Sequence, residues 1–209
     1  MDDHPIVCKG LTMLINCEAD MEVCGEAPGM AEAMRIVFER HPEFVIVDIS
    51  LENGSGLDLV REILKALPHT KILVNSLHDE SLYAERVLRL GAKGYINKSE
   101  ATERVVKAIR SVQAGKIYVS DKMKEQLLCR SVGVPALKEK QRPVDRLSDR
   151  ELEVFEMIGN GLSVKVIADK LYLSPKTVET YRESIKSKLL LDSSREVMHH
   201  AVHWVRDQM

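Results

Sequence analysis

Two rhythms of hydrophobic and polar positions divide the 209-residue chain. In the first half, short apolar runs at residues 21–25, 44–48 (FVIVD), 71–75 (KILVN) and 94–97 (GYIN) recur about every 25 residues. Uninterrupted β-branched runs of this length suit strands buried on both faces of a parallel sheet. Between them the 3.6-residue period predicts amphipathic helices at residues 4–17, 30–40, 56–66, 80–90 and 101–114. This alternation predicts an α/β, doubly wound parallel sheet with helices on both faces.

From residue 146 the rhythm is helical throughout. Ser148 with Glu151 forms a capping box, Leu152, Phe155, Met157 and Ile158 give the inner stripe, and Gly159-Asn160-Gly161 ends the helix. Ser163 caps a short second helix whose Val166, Ile167, Ala168 and Leu171 face inward, and Tyr172-Leu173 leaves room only for a sharp corner. Ser174 and Pro175 open a third helix whose Val178, Tyr181, Ile185 and Leu189 face inward. Its outer face then holds Lys176, Glu179, Thr180, Arg182, Glu183, Lys186 and Ser187, a polar surface of the size a DNA major groove admits. A second capping box, Ser193 with Glu196, starts a last helix with Val197, Met198, Ala201, Val202 and Val205 on one side and Trp204 nearby. That apolar face can pack on its own bundle or pair two copies.

Composition changes this picture in three places. The first 100 residues carry 17 acids and 10 bases and the remainder 15 acids and 20 bases, an acidic half followed by a mildly basic one suited to nucleic acid. No apolar run reaches membrane-spanning length and the first residues are acidic, so neither a span nor a leader is expected, and the cytoplasm is the expected location. Cys8, Cys17, Cys24 and Cys129 lack metal-ligand spacing and read as reduced thiols, and the His199/His203 pair lacks a third ligand. The stretch SVGVPALKEKQRPVDR has no periodicity and reads as a linker.

In doubly wound sheets functional residues gather at the carboxyl ends of strands. Those positions are Asp48, Ser76 and Lys98, with Asp2-Asp3 just before the first helix. Carboxylates there can hold Mg²⁺, and one can act as nucleophile to form an acyl phosphate. Each residue alone has a bland explanation, a turn-forming Asp or a solvated Lys. The order DDHP…VIVD…VNSLHDE…GAKGYINKS, however, resembles a response-regulator receiver domain across about residues 2–116, and LSDRELEV…GLSVKVIADKLYLSPKTVETYRESIKSKL resembles the LuxR/NarL-type helix-turn-helix.

The whole chain thus resembles a NarL/FixJ-type two-component response regulator, with a receiver at residues 1–116, a linker with a short helix at 117–145 and a DNA-binding domain at 146–209. The resemblance implies that a sensor histidine kinase phosphorylates Asp48, that Asp3, Asp48 and the main-chain carbonyl of Ser50 ligate Mg²⁺ with Asp2 assisting, that Ser76 and Tyr95 form a switch pair, and that Lys98 binds the new phosphoryl group. It implies that Lys176, Glu179, Thr180 and Glu183 reach base edges of double-stranded DNA while Thr177, Arg182, Lys186 and Lys188 hold phosphates, in a homodimer paired by the last helix. The two acids suit base selection, since Glu accepts from cytosine.

Three positions depart from the family. Val164-Lys165-Val166 replaces a polar triplet, and the loop 50–54 lacks its usual proline. The first hydrophobic strand of a 2-1-3-4-5 sheet is missing, since only Met1 precedes Asp2; either the start lies upstream or another segment or chain fills the gap. The rivals are an enzyme on the same architecture and a DNA-binding regulator with an incomplete, phosphate-independent receiver. A flavin binder would need a Ser/Thr/Gly-rich phosphate loop and a haloacid-type phosphatase a second Asp where Ser50 stands, and neither is present.

Overall fold

The computed structural model describes residues 1–51, 54–100, 103–132 and 142–207. They fall into two units, Met1–Gly133 and Val134–Met209.

In the first unit the chain runs α1 (Pro5–Asn16), α2 (Met30–Arg40), β1 (Phe44–Val47), β2 (Ser50–Leu51), β3 (Gly54–Ser55), α3 (Gly56–Ala66), β4 (Lys71–Ser76), α4 (Glu80–Leu90), β5 (Gly94–Asn97), α5 (Glu103–Gln113) and α6 (Asp121–Val132). β1, β4 and β5 form a parallel sheet in the order β1-β4-β5, with Val47 opposite Val74 and Ser76 opposite Asn97. Ile72, Leu73 and Val74 are all buried, as strands covered on both faces must be. Leu11, Leu14 and Ile15 of α1 join Val105, Ala108 and Ile109 of α5 against Leu73 and Ile96. α3 lies against β1 and α4 against β5, with α2 beside α3.

One expected strand is corrected. Residues 21–25 run without ladder partners, because the strand that would lie between them and β1 is absent among the described residues. Their polar groups find other partners: Val23 N donates to Asn16 Oδ1 at 2.8 Å. Met1 and Asp2 take up part of that strand's place. Met1 N donates to Ile46 O at 3.0 Å, Asp48 N to Met1 O at 2.9 Å and Asp2 N to Ala27 O at 3.0 Å, so two residues bridge β1 and the segment between α1 and α2.

The segment expected to be linker is divided. Through α6 it stays with the first unit, where Met123 is buried, Ser120 N donates to Glu80 Oε1 at 2.7 Å, and Tyr118 bridges to Gly94. Residues 133–141 lie outside the described residues, and Pro143–Arg146 forms one 3-10 turn.

The second unit holds α7 (Asp149–Gly159), α8 (Val164–Leu171), α9 (Pro175–Lys188) and α10 (Ser194–Arg206). Ser148, Ser163, Ser174 and Ser193 cap them, each hydroxyl accepting a main-chain amide. Tyr172 takes a left-handed φ of 52° to make the tight corner between α8 and α9. Val178 and Ile185 of α9 and Ile167, Ala168 and Leu171 of α8 are buried, whereas Val166, expected to face inward, lies on the outer side of α8 at 42% exposed. α10 packs on α7 so closely that a Cβ on Gly159 would lie 2.4 Å from Ala201 O.

Candidate functional site

The first cluster lies at the carboxyl ends of β1, β4 and β5. Asp48 follows β1, held where α3 begins: a Cβ on Gly56 would stand 1.9 Å from Asp48 O, so only glycine lets the helix start this close. Lys98 follows β5, its amide donating to Ser76 O at 2.9 Å. Its Nζ lies 2.6 Å from both Asp48 Oδ2 and Asp2 Oδ2. Burial alone would lower the Lys98 pKa, but these two hydrogen bonds outweigh it and raise it. Asp2 and Asp48 are each 3% exposed.

That ion bridge uses one oxygen of each carboxylate. Asp48 Oδ1, Asp3 Oδ1 and Ser76 Oγ are buried without hydrogen-bond partners. His4 Nδ1 lies 2.7 Å from Asp3 Oδ1, in ion-pair range without hydrogen-bond geometry, and 3.3 Å from Asp2 Oδ1. Ligand-capable atoms of Asp2, Asp3, His4 and Asp48 all lie within 4.8 Å of one another. Two orphaned carboxylate oxygens in a convergent acidic pocket fit a hard divalent cation such as Mg²⁺. Ser50 stands at the rim with its Oγ 2.8 Å from His78 Nε2.

Beside the pocket, Tyr95 is 1% exposed and its hydroxyl donates to His78 O at 2.6 Å. Asn97 Nδ2 reaches the same carbonyl at 3.3 Å. Burial, helped by the charge on Asp48, raises the Tyr95 pKa, so the ring is a neutral donor. The loop after β4 is therefore tied to β5 next to Ser76. Sequence reasoning placed Asp2, Asp3, Asp48, Ser76, Tyr95 and Lys98 in this region, and the structure brings them together. It passed over His4, whose signal was its position directly after the acidic pair.

The second cluster is the outer face of α9. Lys176, Glu179, Thr180 and Glu183 are exposed, and Thr177 is half-buried with Oγ1 2.8 Å from Ser174 Oγ. The charges pair along the helix: Arg182 with Glu179 at 2.9 Å, and Lys186 with Glu183. Lys188, which the resemblance assigns to a phosphate, places Nζ 2.6 Å from Glu151 Oε2. Glu151 is buried and also accepts from Ser184 Oγ at 2.6 Å and Ser148 N at 2.6 Å. Burial would raise the Glu151 pKa, but Lys188 and these donors hold it down at about 2. On α10, Val197 and Ala201 face their own bundle and Trp204 sits against Phe155 with ring centroids 5.7 Å apart, whereas Met198 is 49% exposed.

Comparison with known proteins follows this division. Residues 1–110 match the response regulator receiver domain family and residues 145–201 the bacterial regulatory proteins of the luxR family. The oxygen regulatory protein NreC of Staphylococcus carnosus (strain TM300) is 38% identical over 205 residues, covering 96% of this chain and 94% of that protein. Among solved structures, RcsB from Salmonella enterica serovar Typhimurium bound to promoter P1flhDC in the presence of phosphomimetic BeF3- superposes with a TM-score of 0.69 at 25% identity, over 96% of this chain and 95% of that one. A structure of two RcsB dimers bound to two parallel DNAs matches with a TM-score of 0.57 at 26% identity, over 95% and 94%. Among the described residues no helix is long and apolar enough to cross a membrane.

Proposed function

We propose, given that this chain belongs to the response regulators that join a receiver domain to a luxR-family DNA-binding domain, that phosphorylation of Asp48 by a sensor histidine kinase controls how it dimerises on promoters. The protein is a DNA-binding transcription regulator of a two-component system and not an enzyme with a substrate of its own. The observation that carries the Asp48 reading is its orphaned Oδ1 beside the Lys98 bridge. One carboxylate oxygen is held and the other is free to attack a phosphoryl group.

Asp3, Asp48 and the Ser50 carbonyl would hold Mg²⁺, which supplies charge neutralisation during phosphoryl transfer. Asp2 keeps Lys98 in position, and Lys98 transfers its hydrogen bond from the carboxylate to a phosphoryl oxygen. Ser76 Oγ, now without a partner, accepts its role as donor to a second phosphoryl oxygen, which draws on the loop that Tyr95 anchors through His78. The two arrangements differ by a few side-chain bonds, a scale that phosphorylation can bias.

On DNA, α9 enters the major groove with Lys176, Thr180, Glu179 and Glu183 toward base edges. The RcsB dimer–DNA assembly supports a paired arrangement for this chain as well, and a DNA-bound regulator of this kind would act in the cytoplasm. The direct test is incubation with Mg²⁺ and a small phosphodonor, followed by mass measurement. One acid-stable, base-labile phosphoryl group is expected, absent in Asp48→Asn. A label that persists in Asp48→Asn refutes the assignment.

A further inference from the structure

We propose that His4 is a metal ligand through Nδ1, and that it shifts the pocket of Asp2, Asp3 and Asp48 from a pure oxygen site toward divalent transition metals with an affinity for imidazole, such as Co²⁺, Ni²⁺ or Zn²⁺. This rests on the reading of the pocket as a metal-assisted phosphoacceptor site and adds one donor to it.

The distances carry the inference. Adjacent ligands around an octahedral cation with bonds of about 2.1 Å stand about 3 Å apart. His4 Nδ1 lies 2.7 Å from Asp3 Oδ1 and 3.3 Å from Asp2 Oδ1, on either side of that spacing. The whole set spans no more than 4.8 Å, against about 4.2 Å for opposed ligands, so a few tenths of an ångström of adjustment close it on an ion. Asp48 Oδ1 and Asp3 Oδ1, both buried and without hydrogen bonds, are the oxygens the ion would satisfy.

The ring is also placed, not merely nearby. His4 precedes Pro5, which keeps it extended at φ −98° and ψ 106°, and its amide donates to Asp2 Oδ1 at 3.0 Å. The imidazole therefore stays over the acidic pair instead of turning into α1. Asp2 and Asp48 share Lys98, with the Met1 ammonium acting on the same two carboxylates, and Asp3 adds a third carboxylate that neither cation pairs with. Mg²⁺ draws little from a nitrogen ligand, whereas Co²⁺, Ni²⁺ and Zn²⁺ bind imidazole well, so His4 acts on selectivity.

The experiment uses the full-length, tag-free chain carrying His199→Asn and His203→Asn. That pair, with ring centroids 4.5 Å apart on α10, would otherwise take such ions itself. Mg²⁺ and Co²⁺ are titrated calorimetrically, and pulsed electron paramagnetic resonance of the Cu²⁺-loaded protein reads a directly bound imidazole nitrogen. His4→Asn keeps an amide donor for the carboxylates but removes the imidazole. The expected result is a Co²⁺-over-Mg²⁺ preference that falls about tenfold or more in His4→Asn, with loss of the nitrogen signal. An unchanged preference, or a nitrogen signal that survives, overturns the proposal. Mg²⁺-dependent labelling of Asp48, assayed alongside, separates the two readings: labelling with unchanged preference sinks only the role of His4, whereas wild type that neither binds metal nor takes the label sinks both.

Discussion

At the scale of single residues, the second unit turns on a buried carboxylate. Glu151 serves the cap of α7 and, through Lys188 and Ser184, the far end of α9, which fixes the angle at which that helix is presented. Its folded pKa is about 2, below an ordinary carboxylate. A depressed pKa contributes stability that is present above the unfolded value, near 4.5, and is lost as pH falls toward 2. Acid titration of the second unit's melting should show that loss, worth about 2 kcal/mol once solvent screening is allowed for, and Glu151→Gln should flatten it. Lys188→Met should lower the melting temperature, because it strands the buried charge, whereas Lys186→Ala should leave melting unchanged and reduce the salt slope of DNA binding by about one counterion. Equal melting of both variants would contradict this division. On the same face Glu179→Ala should relax base preference by about 1–3 kcal/mol in a binding-site selection; it also frees Arg182, so a rise in affinity for all sequences alongside is consistent with the Glu179–Arg182 pair.

At the scale of elements, what the sequence discloses follows how local the cause is. The helices of the second unit were readable because their caps are local: Ser148 with Glu151, Ser174 with Pro175, and Ser193 with Glu196 all act within a few residues. β1, β4 and β5 were readable because burial on both faces leaves apolar runs. Residues 21–25 carry a strand-like run too, but strand identity belongs to a pair, and among the described residues no strand pairs with them. The same limit hid the partner of Lys188, which stands 37 residues earlier in the chain, so the sequence offered only the phosphate role that the resemblance implies. It also hid the division of α10, where Val197 and Ala201 turn inward and Met198 remains outside. Gly159 makes that docking possible, and Gly159→Ala should destabilise the second unit by about 1–3 kcal/mol, read by denaturant melting, since the new Cβ meets main chain that cannot swing aside. An undiminished midpoint would show that α10 is not seated on α7 as described.

At the scale of the whole molecule, a net-acidic unit with a convergent carboxylate pocket precedes a helical unit of nearly balanced charge, 13 bases against 12 acids over residues 134–209, with a groove-sized polar face. The family explains why the two occur in one chain: one receives a phosphoryl group and the other reads DNA. The paired charges on α9 make its grip on DNA modest for one copy, since Glu179 and Glu183 compete with phosphates for Arg182 and Lys186. Coupling two copies is then an effective way to raise promoter affinity, and phosphorylation is the event proposed to adjust it. The measurement that tests this most directly is promoter binding by the wild-type chain and Asp48→Asn, each with and without phosphodonor and Mg²⁺, at fixed salt. The account predicts that phosphodonor changes wild-type affinity by about tenfold, together with the protein's dimerisation, and leaves Asp48→Asn unmoved. Wild-type binding that is identical in both conditions, while Asp48 demonstrably carries the phosphoryl group, would contradict it.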